Sequence, residues 1–243
     1  MVRVERPTAE ILLVTIDRPE RRNAVDIATL EGLVEAFEPV RPDETRVVVL
    51  TGAPPAFCAG ADLGGAESDA FHEALGRALQ TIAQCPVPVI ASVDGPALGA
   101  GSQLVSVCDL RVATERSIFG IPAAKLGLAV DQWTVDRLVR EFGWGIARAM
   151  LVAAEVFTAE RMFAAGVIHR IGGLDSALDW AHVLAGQAPL TVIAHKAALD
   201  AAAPPSIGDG TAEALRRAAW ASRDAEEGRT AFLEKRPARF TAS

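Results

Sequence analysis

The chain has 243 residues, half of them hydrophobic and 23% charged, which predicts a folded protein with one large domain and at most a small appendage. Its formal net charge of −7 argues against a sequence-independent grip on a phosphate backbone, so we expect no nucleic-acid partner. The chain has no Tyr and only four His. A catalytic Tyr is therefore excluded, and carboxylates and backbone amides are the expected chemical groups.

Apolar strand patterns alternate with helical patterns through the first half of the chain. Strands are predicted at 11–16, 47–52, 87–93 and 108–114, and helices at 26–37 and 68–83, with a short helix before the last strand. The alternation predicts an α/β fold whose strands are covered on both faces, built from similar units of about 40 residues.

Ala-rich helical patterns replace the strands from about Trp144 onward. The last of them is predicted to run from about Thr211 to Ala225, after a break at 204–210 that contains two Pro and two Gly. We therefore expect the last third of the chain to be mostly helical.

Targeting, disulfide and metal signals are absent from the sequence. The first twenty residues carry charges throughout, so neither a signal peptide nor a membrane anchor is expected, and no later apolar run is long enough to span a membrane. Cys58, Cys85 and Cys108 are odd in number and widely spaced, which fits neither a disulfide framework nor a metal pair. We expect a cytoplasmic protein without a metal or a covalently bound cofactor.

Two Gly-containing junctions each lie between a predicted strand and a predicted helix: FCAGADL at 57–63 and GPALGAGSQL at 95–104. Backbone N–H groups at such helix starts favour negative charge. Two amides aimed at one point would form an oxyanion hole, which stabilises charge on a thioester or carbonyl oxygen. For either junction alone, a tight turn or close helix packing explains the glycines better.

Several sequence motifs together resemble those of the crotonase family, the enoyl-CoA hydratases and isomerases. They are the two junctions, RPERRNA at 18–24, FTAER at 157–161 and EEGRTAFLEKRPARF at 226–240. The resemblance implies a spiral of ββα units, an acyl-CoA ligand, and an oxyanion hole formed by the amides of Ala61 and Ala100. It also implies a core over 1–187 and a helical region over 188–243 that makes homotrimers or hexamers, although these helices fit an intramolecular core equally well.

The chain departs from the family hydratases at both catalytic glutamates. The resemblance puts Gln103 at the first glutamate position and Ala123, in FGIPA, at the second. Gln can hold a water molecule but cannot take its proton, and Ala can do neither. The sequence therefore predicts acyl-CoA binding with weak or no hydratase activity. The alternative is an active hydratase or isomerase that uses Gln103 and water.

Asp131 is the remaining acidic candidate, because a 4-chlorobenzoyl-CoA dehalogenase of the superfamily is similar in placing its nucleophilic Asp eight residues after the second glutamate position. The alternative is an N-cap of the helix that follows. Gln103, Ala123, Asp131 and Trp133 also resemble a mycobacterial branch described as non-catalytic long-chain acyl-CoA shuttles. Trp133 would then line the acyl pocket; its alternative is the buried face of a helix.

The resemblance also implies residues that contact coenzyme A and its acyl chain. Arg22 and Lys235 are the basic candidates for the phosphates, although both could be solvated surface charges. His72 would line the acyl pocket, or else is an exposed helix residue. The remaining CoA-binding candidates are Ala24, Ala59, Asp62 and Leu63. A lysine that some hydratases carry shortly after the first junction is replaced by Gly64.

Overall fold

The computed structural model describes residues 1–62, 64, 66–202 and 211–239. The strands are β1 (Val2–Thr8), β2 (Ile11–Ile16), β3 (Val47–Gly52), β4 (Val89–Val93), β5 (Pro96–Leu98), β6 (Leu110–Ala113), β7 (Ile118–Gly120), β8 (Val156–Thr158) and β9 (Arg170–Ile171). The helices are α1 (Ile27–Phe37), α2 (Asp69–Ala83), α3 (Ala100–Ser106), α4 (Gln132–Val152), α5 (Ala159–Ala164), α6 (Leu174–Ala185), α7 (Pro189–Ala201), α8 (Thr211–Trp220) and α9 (Arg223–Leu233). Short 3₁₀ helices cover Pro19–Arg21 and Pro122–Leu126.

The main sheet has the strand order β1-β2-β3-β4-β6-β9 within the described residues. β1 pairs antiparallel with β2, and the other pairs are parallel. Every residue of β2, β3 and β4 is buried, as expected for parallel strands that are covered on both faces. The predicted α/β class is therefore confirmed, with β2 and β3 at the predicted residues. The strands β5, β7 and β8 form a second, smaller sheet.

Helices cover the main sheet. Ala177 and Ala181 of α6 pack into a buried cluster with Leu13 of β2, Val49 of β3 and Ile90 of β4. These three strand residues are in register across the sheet, so the small side chains of α6 let the helix approach one continuous apolar row. Burial of such apolar surface stabilises the fold by about 25 cal/mol per Å².

The described residues of 1–119 and 157–203 form one compact unit, and those of 120–156 and 204–243 form another. The first unit contains the main sheet. In the second unit, a β-carbon at Gly127 would lie 2.6 Å from the Asp224 carbonyl, and one at Gly228 would lie 2.4 Å from the Leu126 carbonyl oxygen. Glycine at these two positions therefore lets α9 approach the end of the second 3₁₀ helix closely.

Two features of the structure differ from the expectations. The single helix predicted from Thr211 to Ala225 is wrong, because α8 ends at Trp220 and the Ser222 hydroxyl caps a new helix by accepting a hydrogen bond from the Ala225 amide at 3.1 Å. Five strands were not predicted: most residues of β1 are exposed, and β5, β7, β8 and β9 are only two or three residues long. The division into a core over 1–187 and an oligomerisation region over 188–243 stays a prediction.

Candidate functional site

The two predicted junctions lie side by side in the first unit. The Cys58 amide donates to the Pro96 carbonyl at 3.0 Å, and the Leu98 amide donates to the Cys58 carbonyl at 2.9 Å. This short parallel bridge places the first junction directly beside β5, which is part of the second junction. Because the bonds are between backbone groups, the arrangement depends on the chain path more than on side chains.

Glycines allow the backbones of the two junctions to approach closely. Gly60 and Gly99 have φ angles of 125° and 53°, in the region that favours glycine. A β-carbon at Gly99 would lie 3.6 Å from the α-carbon of Gly60. At Gly101, in the first turn of α3, a β-carbon would lie only 2.2 Å from the Cys58 carbonyl oxygen. Any side chain at Gly101 would therefore push α3 away from the first junction.

The direction of the Ala61 amide is set by backbone hydrogen bonds between Val25 and the two neighbours of Ala61. The Val25 amide donates to the Gly60 carbonyl at 2.9 Å, and the Val25 carbonyl accepts from the Asp62 amide at 2.8 Å. In an extended strand successive residues point their N–H groups to opposite sides, so the Ala61 N–H points away from Val25. Ala61 itself is partly buried.

The Ala100 amide lies at the first residue of α3. N–H groups in the first turn of a helix lack an intrahelical partner. Within the described part of the chain, neither the Ala61 amide nor the Ala100 amide donates a hydrogen bond to another protein group. Two amides on adjoining backbones are therefore available to a ligand oxygen.

Asn23 was not predicted as a site residue, although it lies in the RPERRNA motif at 18–24. Its side chain is fully buried. It donates to the carbonyls of Ala53 and Ala56 at 2.7 and 2.6 Å and accepts from the Arg18 amide at 2.8 Å. Asn23 thereby ties the turn at 18–24 to the segment that follows β3. Its positive φ of 57° is one that Asn tolerates better than most residues.

Arg18 is the second residue that was missed, and it joins three parts of the first unit. Its guanidinium donates to the carbonyl of Ala24, and one of its terminal nitrogens lies 2.9 Å from Asp26 and 3.3 Å from Asp62. Burial raises the pKa of the Asp26 carboxyl, but hydrogen bonds from Thr29 and the Arg18 charge outweigh it and leave the pKa below its usual value. Asp26 therefore stays ionised beside this cation at neutral pH.

Gln103 lies on α3, three residues after Ala100, and is buried, with only 6% of its surface exposed. Its backbone amide donates to the Gly99 carbonyl at 3.1 Å. The neighbouring Ser102 hydroxyl donates to the Ala97 carbonyl at 2.6 Å, which anchors the start of α3 to β5. Gln103 thus sits on a firmly held helix, but its side chain is an amide that does not ionise.

Ala123, Asp131 and Trp133 lie in the second unit. Ala123 is partly buried in the second 3₁₀ helix. Asp131 is the N-cap of α4, since its carboxylate accepts from the Thr134 amide at 2.7 Å and from the Thr134 hydroxyl at 3.3 Å. Trp133 is 38% exposed, so the interpretation of Trp133 as a residue on the buried face of the helix is wrong.

The predicted CoA-binding residues divide between the two units. Arg22 is exposed, and its carbonyl accepts from the Ala59 amide at 3.0 Å, so Ala24, Ala59 and Asp62 lie around the same turn. Leu63 lies outside the described residues. In the second unit, Lys235 is exposed just beyond α9. The arginine beside it, Arg236, is held by Glu227 and Glu234.

His72 and the cysteines show no sign of a reactive group. His72 is partly buried on α2 and meets the Phe71 ring edge-on. Cys58 and Cys108 are buried, and burial raises the pKa of the Cys58 thiol to about 12. No cluster of His, Cys, Asp and Glu among the described residues has the size needed to hold a metal ion. No helix in the described ranges is long and apolar enough to cross a membrane.

Comparisons with known proteins agree with this geometry. A family model described as enoyl-CoA hydratase/isomerase matches residues 6–243. The chain is 39% identical over 231 residues to a probable enoyl-CoA hydratase, echA6, of Mycobacterium tuberculosis (strain CDC 1551 / Oshkosh), with 95% of each chain covered.

Two solved structures share the predicted crotonase fold, which is thereby confirmed. One is carnitinyl-CoA hydratase from Mycobacterium avium, with 33% identity, a TM-score of 0.86, and coverage of 100% of this chain and 98% of that one. The other is methylmalonyl-CoA decarboxylase, with 26% identity, a TM-score of 0.88 and the same coverage. The extent of the family match and the identity to its relatives leave one conclusion: this chain belongs to the enoyl-CoA hydratase/isomerase family.

Proposed function

We propose that the protein binds acyl-CoA thioesters in fatty-acid metabolism and hydrates them weakly or not at all, acting as an acyl-CoA carrier. One observation supports the proposal: the amides of Ala61 and Ala100 lie on adjoining backbones and donate no hydrogen bond to another protein group within the described residues. We further propose that Gln103 and Ala123 stand where the family hydratases have glutamates. Such a pair of amides is suited to the oxygen of a thioester, on which negative charge accumulates.

Hydration needs one group that takes a proton from water and another that gives a proton to carbon. Each such acid or base contributes about 10² to 10⁴ in rate. Gln103 supplies hydrogen bonds but no proton transfer, and Ala123 supplies neither. The loss of both groups therefore removes most of the rate enhancement while leaving the amides that hold the thioester.

The names of the relatives do not decide the reaction. The matched proteins include hydratases and a decarboxylase, which share a fold and thioester substrates but not a chemical step. Function lies in the residues of the site more than in the fold. For this chain, the residues of the site favour binding over turnover.

Coenzyme A carries several negative charges, so a protein with a net charge of −7 needs local cations to bind it. Arg22 and Lys235 are exposed and suited to this role. Asp62 is turned toward Arg18, so we assign it to shaping the turn at 22–25. Ala24 and Ala59 would contribute backbone contacts there. Binding through exposed cations should weaken as the salt concentration rises.

Trp133 is assigned to contact with the acyl chain, and His72 is assigned to the same role independently. Trp133 offers a large apolar ring that is partly exposed, which suits contact with a long hydrocarbon chain. We propose a cytoplasmic homotrimer or hexamer as the working form, with the region 188–243 as the oligomerisation region. Analytical ultracentrifugation tests this assembly, and a stable monomer would contradict it.

An acyl-CoA enzyme that uses Asp131 is the second candidate function. Its support is that Asp131 is a partly buried carboxylate at the position of a nucleophile in a related dehalogenase. Against it, both carboxylate oxygens accept hydrogen bonds from Thr134. The capping role explains Asp131 without any reaction.

The test combines calorimetric titration with acyl-CoAs of four to sixteen carbons and a hydration assay with crotonyl-CoA. We expect binding, tighter for long chains, with no turnover. Steady hydration that disappears in Gln103→Ala would refute the carrier proposal. For the second candidate, Asp131→Asn keeps an N-cap acceptor but removes the nucleophile, and loss of turnover on aroyl- or enoyl-CoA substrates in this variant alone would establish the enzyme. Asp136→Asn, on the same helix, is the control.

A further inference from the structure

We propose that Arg18 is the positioning residue of the thioester site, which sets the direction of the Ala61 amide by holding Asp62 against the turn at 22–25. The inference rests on the proposed function, because it assigns a role within the same thioester site. Arg18 precedes the first 3₁₀ helix and lies 44 residues before Asp62 in the sequence.

The contacts of Arg18 are internal. Its side chain is only 16% exposed, and its terminal nitrogens contact the Ala24 carbonyl, Asp26 and Asp62. A guanidinium that is engaged in this way is poorly placed to reach a phosphate of coenzyme A. Its planar fork is suited instead to fixing several acceptors at once. Arg18 therefore acts on the ligand through the loops that it joins.

Asp62 is the residue that transmits this restraint to the site. Its amide donates to the Val25 carbonyl at 2.8 Å, and its carboxylate lies 3.3 Å from Arg18. Ala61 therefore lies between two restrained residues. Gly60 before it is bonded to the Val25 amide, and Asp62 after it is held through its backbone amide by Val25 and through its carboxylate by Arg18. Without the contact between Arg18 and Asp62, the backbone bonds to Val25 remain, but the segment at 60–62 loses its side-chain restraint and the direction of the Ala61 N–H becomes less fixed.

Charge makes the arrangement depend on Arg18 in particular. Asp26 and Asp62 both lie within 3.3 Å of one Arg18 nitrogen. Two carboxylates that share a cation repel each other when the cation is removed. Replacing Arg18 with a neutral residue therefore both frees Asp62 and drives it away from the N-terminus of α1.

The test separates orientation of the amide from general ligand binding. Decanoyl-CoA has a thioester carbonyl and S-decyl-CoA has none, so the ratio of their dissociation constants measures the contribution of the carbonyl oxygen. A conjugated thioester, 4-dimethylaminocinnamoyl-CoA, reports the same contact by absorbing at longer wavelength when hydrogen bonds polarise its carbonyl.

We expect Arg18→Met to reduce the thioester preference by about threefold to tenfold, the worth of about one hydrogen bond, and to diminish the absorption shift. Asp62→Asn should behave alike, and the double variant should lose little more than either single variant, because the two residues act as one unit. Arg18→Lys should restore part of the shift. Arg77→Met, which removes an exposed pair with Glu38, is the matched control and should match the wild type.

Equal weakening of both ligands in Arg18→Met, or an unchanged absorption shift, would overturn the proposal. If Arg18→Met fails to fold, Asp62→Asn decides, since it keeps the pair between Arg18 and Asp26. If the wild type itself binds both ligands equally and shows no shift, then the thioester site is wrong. That result is distinct from a loss that is confined to the variants.

Discussion

Gly101→Ala is the sharpest perturbation of the thioester site, because one methyl group is placed where two backbones touch. The new β-carbon would lie 2.2 Å from the Cys58 carbonyl oxygen and 3.0 Å from the Cys58 β-carbon. An ordinary contact needs at least about 3.4 Å, so α3 or the first junction must move by roughly 1 Å. Overpacking of this kind costs about 1–3 kcal/mol.

The same displacement should damage binding, since Ala100 precedes Gly101 and Ala61 follows Cys58 by three residues. A displacement of about 1 Å takes a hydrogen bond outside its usual donor–acceptor range. We therefore expect Gly101→Ala to lose both stability and thioester preference. Thermal unfolding at a fixed protein concentration and titration with decanoyl-CoA and S-decyl-CoA measure the two effects.

Gly76→Ala is the control, because a β-carbon at this position in α2 has no other atom within 4 Å. Ala is favoured over Gly inside a helix by about 1 kcal/mol, so Gly76→Ala should be slightly more stable than the wild type and should bind normally. If Gly101→Ala unfolds at the temperature of the wild type and keeps the thioester preference, the backbone contact is not what sets the site.

Two further predictions concern single side chains. Asn23→Ala should lower the free energy of unfolding by about 3 kcal/mol or more, since it leaves three backbone groups without their partner; chemical denaturation measures this, and a loss below about 1 kcal/mol would contradict it. Glu227 tests the acid range, because hydrogen bonds from Arg236 lower its pKa from 4.5 to about 2. A lowered pKa stabilises the folded state above about pH 4.5 and loses that effect as the pH falls toward 2, so the difference in thermal midpoint between the wild type and Glu227→Gln should shrink over this range. Glu226→Gln is the control, and a constant difference would refute the reasoning.

The sequence predicted the buried part of the fold well. β2 and β3 form at the predicted residues because parallel strands that are buried on both faces need continuous apolar runs, which are visible without knowledge of their neighbours. α1 was also predictable, since Asp26 caps it through the Thr29 amide. The end of α8 was missed, although Ser222 is a typical capping residue, because the Ala-rich pattern on both sides masked it.

The arrangement of the site was less predictable for a physical reason. The Ala61 and Ala100 positions were derived from the resemblance, but what fixes them is a contact between Gly101 and Cys58 and the bonds of Asn23 and Arg18. These interactions join residues that are tens of positions apart, and several are made by backbone atoms that every residue type carries. Hydrophobic periodicity contains no information about such pairs.

Separate groups support binding and chemistry in this fold, and this separation explains how a chain can keep one and lose the other. In the proposed site, the amides of Ala61 and Ala100 are positioned by glycines, by Asn23 and by Arg18, none of which transfers a proton. On the same proposal, the glutamates of the family hydratases contribute only the proton transfers, so Gln103 and Ala123 in their place would leave the amides where they are. Gln103 illustrates this, because α3 is anchored through Ser102 and the Gly99 carbonyl, bonds that do not involve the Gln103 side chain. In the proposed carrier, loss of hydration therefore demands no loss of affinity, and the thioester preference, more than turnover, is the property that tests the proposed site.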